Sequence, residues 1–131
     1  MIALDTKVLV RFLVEDDRAQ SARAAKLIAR TISRDETLFV SDVVACEMVW
    51  VLLSAYEVPR AEVGAILGQL FKATHLSFRD VDGLVRALEG FVTGKGDFAD
   101  YVIKEHARTA GCDEVATFDR ALLKETGFVA P

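Results

Sequence analysis

Four carboxylates stand inside or directly after apolar segments of the chain: Asp5, Glu47, Asp100 and Asp119. Carboxylate oxygens are ligands that Mg²⁺ and Mn²⁺ take readily. If the fold gathers these side chains at one place, a divalent cation is the simplest compensation for their mutual repulsion. The four residues therefore predict a metal-dependent reaction centre.

Glu47 is the most telling of the four acids. It lies in the stretch 43–53, in which every other residue is apolar, and a helix that is apolar all round is typically buried. A lone buried carboxylate is costly unless something compensates its charge. We therefore expect Glu47 to be buried and to face the cation. The alternative is a buried ion pair with Arg11 or Lys7.

The remaining acids are placed at the ends of predicted strands or at a helix start. Asp5 and Asp119 each follow a strand, and Asp97 precedes Asp100 by three residues, so that both can face one side of a helix. In open parallel sheets, sites form at the carboxyl ends of the strands. Each acid also has a structural alternative, as a helix cap or a first-turn acid. Without metal, convergence predicts that at least one of them binds protons more readily than a free carboxylate.

The elements that must position these residues alternate along the chain. The predicted strands are 2–5, 38–40, 75–78 and 115–117, with an edge strand at 128–129. The predicted helices are 6–14, 19–33, 42–56, 59–72, 81–92 and 98–109, with a short last helix from Arg120. Such alternation is typical of an α/β fold with a parallel sheet flanked by helices. At 131 residues, the chain is expected to form a single domain over 1–131.

The composition narrows the class of protein. A net charge of −4 argues against a domain that holds nucleic acid by a general basic surface, although nucleic acid remains possible as a substrate. The residues that could meet phosphates locally are Lys7, Arg11, Lys95 and Arg120. No stretch has the pattern of a signal peptide or a membrane span. The two cysteines, Cys46 and Cys112, are predicted to be buried free thiols, which favours a cytoplasmic location.

The segments around the acids resemble the successive motifs of a known family. These segments are Asp5-Thr6-Lys7-Val8-Leu9, the helix that carries Glu47, Asp97-Phe98-Ala99-Asp100 and Thr117-Phe118-Asp119. In order and spacing they are similar to the PIN-domain ribonucleases, most closely the VapC-type toxins of prokaryotic toxin–antitoxin modules. The resemblance spans nearly the whole chain and implies a PIN-like α/β/α sandwich with a central parallel sheet of four to five strands.

The resemblance also implies a chemistry. Asp5, Glu47 and Asp100 correspond to the core acids, with Asp119 as the fourth and Asp97 as an accessory ligand of Mg²⁺ or Mn²⁺. The implied reaction is hydrolysis of RNA by a metal-activated water, leaving a 5′-phosphate and a 3′-hydroxyl. The implied partners are an antitoxin protein that covers the acidic site and a second copy of the chain in a homodimer.

Three further positions have roles implied by the same resemblance. Thr6 matches a small hydroxyl residue after the first acid, and Thr117 a supporting polar residue. Lys7 departs from the family pattern, in which asparagine commonly stands at this position. An ammonium there could pair with a carboxylate, weaken metal binding or hold an RNA phosphate, and its place after the first strand predicts that it lies at the rim of the acidic site.

Other function classes are left open or excluded by the residues. A catalytically weak binding module that acts through a protein partner is the main alternative, and Lys7 is its best argument. A phospho-acceptor regulatory domain requires paired acids after the first strand, and a haloacid-type phosphatase requires an acid two residues after Asp5; neither pattern is present. The apolar stripe in 58–71 fits either a core or a groove for a partner.

Overall fold

Strands and helices alternate along the chain in a computed structural model that describes residues 1–131. The strands are β1 (Ile2–Ala3), β2 (Leu38–Phe39), β3 (Leu76–Ser77), β4 (Val115–Ala116) and β5 (Phe128–Val129). The α-helices are α1 (Thr6–Leu13), α2 (Arg18–Ser33), α3 (Asp42–Ser54), α4 (Arg60–Lys72), α5 (Val81–Thr93) and α6 (Phe98–Thr109), and a short 3₁₀ helix spans Leu122–Lys124. The chain divides into two compact units, Met1–Arg79 and Asp80–Pro131.

The first unit is built on a three-stranded parallel sheet in the order β1-β2-β3. Ile2 pairs with Leu38 in register, and β2 pairs with β3 in the same direction. Beyond the end of β1, Leu4 N donates a hydrogen bond to Phe39 O at 2.8 Å. The ladder therefore holds the chain up to the residue that precedes Asp5.

Four helices belong to the same unit. α1 packs against α2 and α3, and α3 packs against α4. The side chains buried in this unit include Leu9, Val10, Leu38, Val40, Met48, Leu52, Val63 and Leu67. Because the strands are only two residues long, the helix faces rather than the sheet supply most of the apolar burial that stabilises the unit.

The predicted burial of α3 on all sides is wrong. One face, which includes Met48 and Leu52, is fully buried, whereas Val43 and Trp50 on the opposite side are 67% and 68% exposed. Glu47 is exposed as well. Residues 43, 47 and 50 lie on one side of a helix by their spacing, so that this stripe faces away from the packed face. The apolar residues of α3 are therefore not all buried, because Val43 and Trp50 stay exposed on either side of Glu47.

The second unit consists of two packed helices and a two-stranded parallel ladder. α5 packs against α6, and the rings of Phe91 and Phe98 meet edge to face with their centroids 6.1 Å apart. Val115 of β4 pairs with Phe128 of β5. The ring of Phe128 in turn meets the ring of Tyr101 at 6.3 Å, which joins the ladder to α6.

The predicted parallel pairing and the strand at 128–129 are confirmed, whereas the grouping of the strands differs from the expectation. The five strands form one ladder of three and one of two, not a single ladder of four or five. Pro59 is the residue before α4 and not its first helical residue. The last helix begins at Leu122 rather than Arg120, because the preceding residues form a turn around the Asp119 side chain. Every helix of the structure is too short or too polar to cross a bilayer.

Candidate functional site

Two carboxylates of the first unit are joined through Thr6. Asp5 is the N-cap of α1, and its Oδ1 accepts a hydrogen bond from Thr6 N at 2.8 Å. The Thr6 side chain is buried, and its Oγ1 donates to Glu47 Oε2 at 2.7 Å. One threonine at the start of α1 thus contacts the first acid through its backbone and the second through its hydroxyl.

The position of Glu47 follows from the capping of α3. Ser41 Oγ accepts a hydrogen bond from Val44 N at 3.1 Å, which fixes the start of α3 and places Glu47 in its second turn. The expected burial of Glu47 is wrong, and so is the alternative of an ion pair with Arg11 or Lys7. Arg11 instead bonds to Tyr56 Oη at 2.9 Å and lies 3.5 Å from Asp16. Glu47 is therefore an exposed carboxylate held by one charge-assisted hydrogen bond.

Two carboxylates of the second unit lie at the start of α6. Asp97 is the N-cap residue, and its backbone N donates to Asp100 Oδ2 at 2.8 Å, the return hydrogen bond of a capping box. Asp100 is half-buried and Asp97 is exposed. The two acids thus act as a helix cap and a first-turn residue, which is the structural alternative predicted for them. Asp100 Oδ1 takes no part in this hydrogen bond.

Asp119 forms a turn after β4. Its Oδ1 accepts hydrogen bonds from Ala121 N at 2.9 Å and Leu122 N at 3.3 Å. Its own backbone N donates to Thr117 Oγ1 at 3.0 Å. Thr117 therefore fixes the backbone that carries Asp119, which is the kind of supporting contact that its position in the motif implies.

The acids of the second unit influence one another electrostatically. Burial is the largest cause that raises the pKa of Asp100, and the nearby charges of Asp97, Asp119 and Glu125 raise it further, against the opposing effect of a backbone hydrogen bond with Asp97. The expectation that at least one acid binds protons more readily than a free carboxylate is confirmed for Asp100. Its physical reason differs from the expected one, since burial outweighs the repulsion between carboxylates.

Glu125 and Tyr101 are residues of this region that the sequence reasoning missed. The Tyr101 hydroxyl donates to Glu125 Oε1 at 2.8 Å and accepts from Gly96 N at 2.9 Å. Lys95 N donates to Glu125 Oε2 at 3.1 Å. This network ties the loop before Asp97 to the segment after the 3₁₀ helix. Gly94 and Gly96 indicate the loop in the sequence. No residue near Glu125 in the sequence indicates that Glu125 bonds to Tyr101 and Lys95.

The glycine loop is needed for the close approach of Tyr101. A Cβ atom on Gly94 would collide with the Tyr101 hydroxyl, and a Cβ on Gly96 would stand 2.5 Å from Leu122 Cδ2 and 3.1 Å from Asp100 Oδ2. Neither position has room for a side chain without movement of the residues around Asp100.

The sequence matches the PIN domain family over residues 2–129, which is nearly the whole chain. The chain belongs to the PIN domain family. The PIN-like α/β/α fold class expected from the sequence is thereby confirmed. PIN domains are generally nucleases and generally use divalent metal ions, which supports a nuclease function for this one. No similar sequence was found among curated proteins.

The donor chemistry of this PIN domain fits a hard divalent cation, although its acids are not gathered into a ready metal cluster. Asp5, Glu47, Asp100 and Asp119 each commit one carboxylate oxygen to the hydrogen bonds that fix their position and leave the second oxygen outside them. All-oxygen donors of this kind suit Mg²⁺ or Mn²⁺. No group of three or more histidine, cysteine, aspartate or glutamate side chains stands together as a cation site.

The thiols have no part in this donor set. Cys46 is half-buried on α3, and burial raises its pKa to about 11, which keeps it a neutral thiol. Cys112 is exposed, so the expectation that both cysteines are buried is wrong. Cys112 follows Gly111, whose φ of +92° ends α6 in a turn at the surface, and this turn leaves the side chain outside the packed face.

Proposed function

We propose that this PIN domain is a Mg²⁺- or Mn²⁺-dependent endoribonuclease and the toxin of a type II toxin–antitoxin system, with residues 1–131 acting as one domain. One observation about the four acids carries the proposal. In each of them, hydrogen bonds fix one carboxylate oxygen, and the other oxygen is left for a ligand. Carboxylates that are already fixed individually by hydrogen bonds lose less conformational freedom when they bind an ion. The family match over residues 2–129 supports the same chemistry.

In this proposal, the metal ligands are Asp5, Glu47, Asp100 and Asp119, and Asp97 is an accessory ligand. The ion supplies a Lewis acid for the phosphate and a bound water of lowered pKa. Thr6 orients Asp5 and Glu47, and Thr117 orients the backbone of Asp119. If one of these carboxylates did not ligate the ion, it would serve as the base that accepts a proton from the attacking water.

The test is calorimetric titration of Mn²⁺ together with cleavage of a labelled single-stranded RNA. We expect stoichiometric metal binding and cleavage by the wild-type protein, and loss of both in Asp5→Asn and Asp100→Asn. Asp113→Asn is the matched control, because Asp113 is an exposed acid outside every motif. Absence of metal binding and cleavage in the wild-type protein would contradict the proposal and favour the alternative, a catalytically weak module that acts through a protein partner.

The antitoxin is proposed to dock on an apolar groove of the first unit. The groove has a volume of ≈ 360 Å³ and is lined by residues of α1, α2 and α4, among them Phe12, Ile66 and Leu70. Within the α4 stripe, Val63 and Leu67 are fully buried in the core, whereas Ile66 and Leu70 line this groove. An amphipathic antitoxin helix is the occupant proposed here. Ile66→Asp is expected to weaken antitoxin binding and leave RNA cleavage by the free toxin unchanged.

The homodimer is proposed to form beside Glu47 on the exposed side of α3, with Trp50 in the contact and the Glu47 carboxylate at its edge, open to the metal and the RNA. Val43 and Trp50 are both about two-thirds exposed, and large apolar side chains left in contact with water favour association with a second apolar surface. Sedimentation of the wild-type protein is expected to show a dimer that Trp50→Ser weakens. Val92→Ser is the control, because Val92 on α5 is similarly exposed at 65% and lies outside the stripe.

A further inference from the structure

Basic residues line a groove between α1 and α2, although the protein as a whole is acidic. The groove has a volume of ≈ 620 Å³, and its lining includes five basic residues and no acid. The basic residues are Lys7, Arg11, Arg23, Lys26 and Arg30. The net charge of the chain is −4, so that this concentration is a local feature and not a consequence of composition.

The five cations form two rows that share the groove. On α2, Arg23, Lys26 and Arg30 are three and four residues apart and therefore lie on one face of the helix. On α1, Lys7 and Arg11 are four residues apart. At about 1.5 Å per helical residue, Arg23 and Arg30 are roughly 10 Å apart along α2. With one phosphate per about 3.4 Å of helix axis in a stacked strand, this length matches roughly three phosphates.

The charges of the groove are largely uncompensated. Arg11 is the member that forms an ion pair, with Asp16 at 3.5 Å, and its Nε also donates to Gln20 Oε1 at 2.7 Å. Lys7 and the three α2 cations are exposed and have no carboxylate within ion-pair distance. Exposed cations without intramolecular partners lose little when they meet an external anion.

The groove leads to the acidic residues of the first unit. Lys7 lines it and directly follows Thr6, which contacts both Asp5 and Glu47. A polyanion that follows the two basic rows therefore reaches the start of α1, where these carboxylates stand. Carboxylates at the end of the groove would repel an anion that binds by charge alone. A phosphodiester is compatible with them when a metal ion neutralises their charge.

We propose that the α1–α2 groove binds the backbone of single-stranded RNA on its path to Asp5 and Glu47. Basic side chains that line a single groove suit the one backbone of an unpaired strand, which positively charged grooves of this kind follow. The proposal rests on the ribonuclease function proposed above and deepens it, because it assigns Arg23, Lys26 and Arg30 to substrate binding. Lys7 is then the point where the groove meets the metal site.

The test is fluorescence anisotropy of a labelled 12-nucleotide single-stranded RNA in metal-free buffer at several salt concentrations, so that binding is measured without cleavage. The variant is Arg23→Ala with Arg30→Ala. Its matched control is Arg18→Ala with Arg34→Ala, which removes the same charge from the two ends of α2, where neither residue lines the groove. Alanine preserves the helix in both variants, and circular dichroism verifies it.

We expect the groove variant to bind RNA roughly tenfold more weakly and the slope of log Kd against log salt to fall by about 1.4, which is about 0.7 for each lost phosphate contact. The control is expected to match the wild-type protein. Equal effects of the two variants would overturn the groove assignment, because they show that only total charge matters. Equal or tighter binding of a polyglutamate peptide of the same charge would overturn the assignment to RNA.

Cleavage with Mn²⁺ is measured in parallel so that the two proposals fail separately. Cleavage that is equally efficient in the groove variant and the control at subsaturating RNA overturns the groove while the nuclease stands. Weaker RNA binding by the groove variant, in a protein that cuts no RNA with any divalent metal, overturns the nuclease function and leaves an RNA-binding groove.

Discussion

Replacement of Thr6 by valine is the sharpest test of how this PIN domain positions its acids. Valine keeps the β-branched shape and the volume of the buried side chain but removes the hydroxyl that donates to Glu47 Oε2 at 2.7 Å. The backbone N of residue 6 still donates to Asp5, so that only the link to Glu47 is lost. We expect lower stability, weaker Mn²⁺ binding and slower cleavage.

The size of the effect follows from the exposure of Glu47. A hydrogen bond to a charged group contributes about 1.5–3 kcal/mol to stability. Glu47 is exposed, so that water replaces the lost donor and the lower end applies. A buried valine methyl is also easier to desolvate than a hydroxyl, which leaves a net loss of about 1 kcal/mol in the free energy of unfolding. An equal loss in metal affinity corresponds to a roughly fivefold higher Kd for Mn²⁺.

A double-mutant cycle separates this contact from other effects of the substitution. The cycle combines Thr6→Val with Glu47→Ala and measures urea unfolding for each variant, and Mn²⁺ titration compares Thr6→Val with the wild-type protein. We expect a coupling free energy of about 1 kcal/mol between the two positions. Thr6→Ser, which keeps the hydroxyl, is the control and is expected to retain most of the metal affinity. Additive effects, or a serine variant that behaves like the valine variant, would refute the reasoning.

Three other substitutions test separate parts of the structure. Asp100→Asn is expected to spare or raise stability at pH 7 without metal, because burial raises the pKa of Asp100 and the charged carboxylate costs stability above that pKa. Urea unfolding should show the wild-type protein and the variant converging in stability as the pH falls below the pKa. Destabilisation of the variant at pH 7 would contradict this expectation. Lys7→Asn is expected to tighten Mn²⁺ binding at low salt, whereas unchanged affinity in calorimetry shows that the ammonium does not act on the metal. Tyr101→Phe should lower the free energy of unfolding in urea by about 1–3 kcal/mol, because the buried Tyr101 hydroxyl bonds to Gly96 N and Glu125. Tyr56→Phe is the control, because the hydroxyl contacts of Tyr56 are nearer the surface. A loss of stability in Tyr101→Phe no larger than in the control would contradict the prediction.

The order of elements was predictable because each helix and strand has a local signal. Asp97 before α6 and Ser41 before α3 are capping residues that fix helix starts within one residue. The strand at 128–129 was also predicted, although it is two residues long. The division of the strands into two ladders has no such signal, because it depends on which strands hydrogen-bond across the sheet and not on the pattern within any strand.

The environment of the acids was only partly predictable. The types and spacing of the residues indicate Asp5, Asp100 and Asp119, because each follows a strand or begins a helix. Glu47 was selected for a reason that the structure contradicts, since uniform apolar composition does not say which side of a helix is covered. Glu125 was missed because its contacts to Tyr101 and Lys95 join positions that are far apart in the sequence.

The cost of keeping the acids charged without metal is unequal between the two units. Glu47 is exposed and accepts a hydrogen bond from Thr6, so that its charge is hydrated on one side and compensated on the other. Asp100 is half-buried among other acids, and the pKa of its carboxyl is raised. A cation that meets Asp100 therefore relieves a cost already present in the folded protein, whereas one that meets Glu47 must first displace water. Under the metal binding proposed above, Asp100 is the ligand whose burial favours a compensating cation, and Glu47 is the one whose carboxylate Thr6 holds in place by a hydrogen bond.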